Sequence, residues 1–146
     1  MRILAFLALA FVTFSPVTWG TNFEDAQKVA VVKQQLILVN FSGSDWCLPC
    51  MRLRKEIFET ACFKNFADSN LVLVSADFPR SSKNKLSKEQ VKLNEALADQ
   101  YNSKGVFPLT ILMTPEGKVL NEWEGFPDVT PEVFVQQLKK YNNARN

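Results

Sequence analysis

Two cysteines stand three positions apart in "SDWCLPCMRL", residues 44 to 53, with Trp46 before them and Pro49 between them. Three chemistries use such a pair: a metal clip, a structural cross-link and a reversible dithiol. A zinc site wants four ligands, usually two such pairs or added histidines. This chain has three cysteines and no histidine, so a metal centre runs short of ligands and no metal is expected. The missing histidine also removes Cys/His and Ser/His catalysis. A permanent Cys47–Cys50 cross-link closes a very short loop, and the stabilisation from a disulfide grows with loop length. A reversible pair needs mainly proximity. Residues i and i+3 of a helix share one face, about 5–6 Å apart at Cβ, close to what a disulfide requires.

In the reversible reading the two sulfurs differ. Cys47 comes first, at the start of a helix expected from about Leu48. Unpaired N–H groups and the helix dipole favour an anion there, so Cys47 is the candidate nucleophile. Cys50 lies one turn inward, better shielded, and is the candidate resolving thiol. Pro49 is tolerated because a first-turn N–H has no helical partner. Cys62 lies about 18 Å beyond Cys50 on an unbroken helix, too far for a disulfide. It reads as a small buried apolar residue between Ala61 and Phe63, with a regulatory or intermolecular thiol as the alternative.

The elements that must position the pair follow from the pattern. "NFEDAQKVAVVKQQ", residues 22 to 35, reads as a helix, and "LILVNFS", Leu36 to Ser42, as a buried strand. A turn and a helix from about Leu48 to Glu59 come next, with Met51, Leu53, Ile57 and Phe58 as its apolar positions. Thr60 caps a short helix containing Phe63 and Phe66. "LVLVSAD", Leu71 to Asp77, is a second buried strand. Ser87 opens a helix to about Tyr101, with Leu93, Leu97 and Tyr101 on its apolar side. "PLTILM" and "KVLNEW" form a hairpin around "TPEG". Thr130 and Pro131 open a last helix with Phe134, Leu138 and Tyr141 on one face.

At 146 residues, 47% hydrophobic and 22% charged, the chain suits one domain. A net charge of +2 is too weak to argue for nucleic acid. Residues 1–20 stand apart. Arg2 precedes an apolar run from Ile3 to Phe14, then Ser15 and Pro16, with small Thr18 and Gly20 before a candidate cleavage site. That is the layout of a cleavable signal peptide, with the mature chain starting near Thr21. The run is short for a spanning helix, which needs about 20 residues, although an uncleaved anchor is the competing reading. No cysteine near the site supports a lipid anchor. Export implies a compartment where disulfides form and persist.

The α-β-α-β-α-β-β-α order, with a W-C-x-x-C motif where the first strand meets a helix, resembles the thioredoxin family. "LILVNFSGSDWCLPC", "LVLVSAD" and "VFPLTILMTPEGKVL" carry the resemblance, which spans roughly residues 22 to 142. It implies an α/β thioredoxin fold over 21–146, a central mixed sheet of about four strands flanked by helices. It implies a cis bond between Phe107 and Pro108 facing the cysteine pair, with backbone groups before Pro108 holding an extended substrate segment. It makes Trp46 a flat contact surface beside the reactive sulfur, where a plain core residue is the alternative. Phe107 is bulky for its place. Members of the family carry a buried aspartate on the strand leading to the motif; Asn40 stands there. Asp45 lies in the turn and is expected to be solvated, which leaves another acid or a bound water to serve Cys50, or else a slower deprotonation of that thiol.

"PRSSKNKLSKEQVK" carries Arg80, Lys83, Lys85, Lys88 and Lys92 against Glu89. It reads as a solvated loop and helix start, with a docking patch for an acidic partner as the alternative. The expected function is an exported thiol–disulfide oxidoreductase. Leu48 and Pro49 add no charge to Cys47, which favours a reducing couple and hence a reductase. A disulfide-forming oxidase or isomerase, or a binding module without turnover, are the alternatives. No cofactor is expected. The expected partners are cysteine-containing exported proteins and a redox partner that resets the dithiol, a membrane thiol–disulfide transporter being one candidate. A monomer is expected.

Overall fold

The structure, a computed structural model, describes residues 17–143. The leader expected over 1–20 lies outside the described residues as far as residue 16.

Strand β1 (Trp19–Gly20) is followed by α1 (Phe23–Lys33), β2 (Leu36–Ser42), α2 (Leu48–Leu53) and α3 (Ala61–Asn70). Then come β3 (Leu71–Asp77), α4 (Lys88–Tyr101), β4 (Leu109–Met113), β5 (Val119–Glu124) and α5 (Pro131–Asn143). The strands form one sheet in the order β1-β3-β2-β4-β5. β2 is central, parallel to β3 with Leu36 opposite Leu71, and antiparallel to β4 with Phe41 opposite Leu109. The architecture is the expected mixed sheet flanked by helices, but with five strands instead of about four. The added strand is β1, parallel to β3 through Trp19 opposite Leu73 and Gly20 opposite Val74. The boundary drawn at residue 20 therefore falls at the end of a paired strand. Two residues inside a leader-like stretch carry no alternation of their own, so β1 is set by its neighbour.

Alternation along β2 sorts the core into two layers. Leu36 and Leu38 face α2, α3 and α5, packed with Leu53, Phe63 and Phe134. Ile37, Val39 and Phe41 face the other way, onto Ala26 and Ala30 of α1 and Leu97 of α4. The first layer is aromatic. Phe58 lies 5.0 Å from Phe63 and 6.1 Å from Phe134, and Trp19 lies 5.0 Å from Phe58, all centroid to centroid. Offset and tilted ring pairs of this kind add to the burial of their area.

Two helices depart from expectation. The helix after the cysteines is not uniform: α2 passes at Arg54–Phe58 into a π-turn, closed by Glu59 N–H donating to Arg54 O at 2.8 Å. The wider turn lets the consecutive residues Ile57 and Phe58 both enter the core. On α4, Leu93 is exposed and Asn94 takes the inward place. Its Nδ2 donates to the Asp77 carbonyl at 2.8 Å and its Oδ1 accepts from Gln90 Nε2 at 2.8 Å, so a buried amide ties the helix to the end of β3. Caps at Thr60 and Ser87 are as expected, their hydroxyls accepting from Phe63 and Gln90 N–H. The side chain of α5 residue Leu138 is buried with Phe134, and Tyr141 packs at the edge of the same cluster.

Candidate active site

β2 and β3 end side by side, and the loops that leave them meet. Leaving β2, the chain turns tightly: Gly43 O accepts from Trp46 N–H at 3.3 Å and Cys47 N–H at 2.9 Å. The turn needs glycine at 43, because a Cβ there would collide with the Trp46 indole. Cys47 is the N-cap of α2, with extended backbone, and its sulfur accepts from Cys50 N–H at 3.3 Å. Pro49 sits in the first turn, as its missing N–H allows.

Cys47 and Cys50 are joined in a disulfide, Cα to Cα 5.2 Å. Both are buried in this oxidised form, at 5% and 4% exposure, so the sharper shielding expected for Cys50 is not visible at the level of whole residues. Leu48 between them is 72% exposed. Cys62 is a free thiol, half-buried against the aromatic core layer instead of fully enclosed. Among the described residues no group of three or more His, Cys, Asp or Glu side chains could hold a metal ion.

The Phe107–Pro108 bond is cis and Pro108 is buried. The expected contact residues come together: the Trp46 ring meets Phe107 edge-on, centroids 5.6 Å apart. Two further members were not picked out from the sequence. Phe78 packs edge-on against Phe107 at 5.4 Å, and its carbonyl accepts from Trp46 Nε1 at 2.7 Å. The Arg80 guanidinium lies over the Trp46 ring, 3.8 Å from its centroid. Arg80 drew notice only as part of a basic run. A usable signal was position: in sheets with parallel strands, sites gather at the strands' carboxyl ends, and "FPR" follows β3 directly.

Asp45 stays at the surface, as expected of a turn residue, but its carboxylate is fully partnered. Its carboxylate accepts from Arg80 N–H at 2.9 Å, Ser81 N–H at 2.9 Å and Asn84 Nδ2 at 3.0 Å. These bonds, led by that from Arg80, hold its pKa below the ordinary carboxylate value. The neighbouring Asp77 accepts from Ser44 N–H at 2.9 Å and Ser44 Oγ at 2.6 Å. Two carboxylates thus staple the loop after β2 to the loop after β3. A lowered folded pKa means that the holding effect is complete above the ordinary carboxylate pKa and lost as pH falls through the lowered value. On acidification, the Arg80 and Ser81 amide resonances should therefore move at a pH below that of a free aspartate. Asp45→Asn, with one acceptor oxygen, should speed their amide exchange roughly tenfold at neutral pH. Unchanged exchange would show that Asp45 does not hold the loop.

Asn40 is buried on the face of β2 that looks towards α2. Its Nδ2 donates to Thr110 Oγ1 at 3.0 Å and more distantly to Leu109 O at 3.5 Å. Beside it lies a cavity of about 400 Å³ lined by Trp19, Asn40, Ser75, Arg54 and Asp77 among others. The side chains of Asn40, Ser75 and Asp77 on its wall give water partners there, beside apolar Trp19 and Phe58.

Sheet order, disulfide at a helix start and buried cis-proline together define the thioredoxin class. The chain belongs to the thioredoxin-like domain family, which it matches over residues 23–142. It is 36% identical over 103 residues to the disulfide bond reductase DsbH of Chlamydia pneumoniae, covering 70% of this chain and 60% of that protein. It is 32% identical over 62 residues to the thioredoxin-related protein DsbJ of the same organism, over 42% of this chain and 18% of the relative. The chain thus aligns with less than two thirds of either curated relative. Among solved structures, DsbH oxidoreductase superposes with a TM-score of 0.79 at 27% identity, over 97% of this chain and 95% of the other. A thioredoxin from Thermus thermophilus superposes with a TM-score of 0.64 at 15% identity, over 87% and 88%, a likeness of fold alone.

Proposed function

We propose that this chain is an exported disulfide reductase that cycles through Cys47 and Cys50. The observation that carries the reading is the setting of Cys47: it caps α2, receives a backbone N–H on its sulfur, and has only Leu48 and Pro49 between it and Cys50. In the reduced form the helix terminus stabilises a Cys47 thiolate, and no charged side chain inside the motif adds to it. That thiolate attacks a client disulfide. A Cys47–client disulfide forms and one client thiolate leaves. Cys50, as thiolate, then attacks the Cys47 sulfur, closing the internal disulfide and releasing the second client thiolate. Two electrons pass to the client, and a dithiol redox partner must return them, a membrane thiol–disulfide transporter being one candidate. Trp46, Phe107 and Pro108 serve as the client-binding surface. The domain acts as a monomer, and no cofactor enters the cycle.

Export is supported by the charged-then-apolar leader of the sequence. Among the described residues no helix is long and apolar enough to cross a membrane. The name of the DsbH relative agrees with the reductive direction.

The test is the equilibrium potential of the pair, titrated against a dithiothreitol or glutathione buffer. The expected value lies near that of thioredoxin, about −270 mV, and far from the strongest disulfide donors, about −120 mV. A value above about −180 mV would overturn the reductive direction and assign disulfide formation or isomerisation instead.

A further inference from the structure

The basic loop after β3 is built onto the site. Phe78 and Arg80 belong to the cluster around Trp46, and they also line a groove of about 420 Å³ that continues away from it, with Lys85, Leu86, Val91 and Glu95. The groove is lined by apolar Phe78, Leu86 and Val91, with the cations Arg80 and Lys85 and the acids Asp77 and Glu95 around them. Arg80, Lys83 and Lys85 are exposed. The ion pairs of the described residues, Lys28–Asp25, Arg52–Glu56, Arg54–Glu59 and Lys104–Glu124, use none of the three. Of the acids nearby, Asp45 and Asp77 are turned into the loops, their oxygens taken by backbone and side-chain donors. Glu95 stays on the groove as the opposing charge. Arg80 is held by its stack on Trp46, so its planar fork is pre-ordered to receive a carboxylate.

We propose that Arg80, with Lys83 and Lys85, forms a specificity rim that selects client segments carrying an apolar residue and acidic side chains next to the reacting cysteine. The segment would lie across Phe107 and Trp46, place its apolar residue in the groove, and pair its carboxylates with the rim. This rests on reading Cys47–Cys50 as a client-facing redox pair. Exposed pairs are individually weak, so the rim works by selection among clients and by faster encounter.

The experiment uses the reduced Cys50→Ser chain and three peptides that each carry one cysteine in a disulfide with the same neutral thiol. Beside a shared phenylalanine the flanks are Glu-Glu, Gln-Gln or Lys-Lys. The rate of Cys47–peptide adduct formation is read, and the acidic-to-basic ratio cancels any general change in Cys47 reactivity. The ratio should be about tenfold at low salt and fall towards one at high salt. Arg80→Ala, and separately Lys83→Gln with Lys85→Gln, should each cut it to about threefold. Lys33→Gln with Lys118→Gln, at the opposite end of the sheet, should leave it intact. Equal rates, a basic preference, or a ratio that only the distant pair lowers would overturn the rim. Adducts with none of the peptides would instead count against the redox reading. The rim is then judged on the oxidised wild-type protein with cysteine-free acidic and basic peptides. The acidic peptide should shift the Trp46 Nε1–H and Arg80 resonances, and failure to do so overturns the proposal.

Discussion

Replacing Cys50 with serine is expected to lock the protein to its clients. With Cys47 left alone, the first exchange still proceeds, and the step that clears the mixed disulfide has no sulfur to perform it. Covalent complexes should accumulate, visible as shifted bands that a reductant collapses, while turnover of a protein disulfide falls to the uncatalysed rate. Cys47→Ser should lose turnover just as fully but trap nothing, because the N-cap place that favours a thiolate belongs to Cys47, whereas Cys50 lies inside the first turn of α2. Equal trapping by both variants would reverse the roles. Cys62→Ser should leave turnover near that of the parent, since Cys62 packs beside the aromatic core layer and not at the site.

The second large effect is expected at Trp19, outside the cysteine motif. Its ring lies on Phe58 and near Phe63, and its backbone supplies half of β1. Large aromatic-to-alanine changes in cores cost about 3–5 kcal/mol. Trp19 is only partly buried, so Trp19→Ala should cost about 2–3 kcal/mol, or roughly 10 °C in Tm. A chain starting at Thr21 should be destabilised at least as much against one starting at Val17, because it also loses the β1–β3 pairing. Urea or thermal unfolding of the three chains gives the comparison. Equal stability would mean that β1 adds nothing to the fold. If the loss is found, N-terminal sequencing of the exported protein should place the cut ahead of Trp19.

The same two cases show what the residues disclosed on their own. β2 and β3 were legible to the residue, because continuous β-branched and aliphatic runs bounded by turns have one physical solution in a sheet covered on both faces. The cysteine pair and the Phe107–Pro108 element were legible through their type and their place after those strands. β1 was not, since its pairing comes from β3 and its tryptophan reads as the tail of an apolar leader. The π-turn was not, since periodicity fixes which residues are apolar, not that consecutive Ile57 and Phe58 both turn inward. The partners of the surface residues Asp45 and Arg80 were not legible, because a carboxylate bonded to backbone 35 residues away and a guanidinium stacked on Trp46 across two loops are set by tertiary folding. Asn94 was hidden behind the apolar Leu93, for the same reason.

The placing of the tryptophans also gives the protein a built-in optical gauge. Of the three indoles, Trp46 adjoins the cysteine pair in sequence, fixed by its bond to the Phe78 carbonyl and capped by Arg80. A neighbouring disulfide drains the excited state of an indole by electron transfer, and a dithiol does so less. Trp19 sits on the Phe58 ring, and Trp123 is anchored through Nε1 to Gln137 Oε1 at 2.8 Å and packed on Phe134. Those two report on packing and hold a steady background, so emission should brighten on reduction through Trp46, and Trp46→Phe should erase the change. The electron count of the site could then be followed in real time without any added dye.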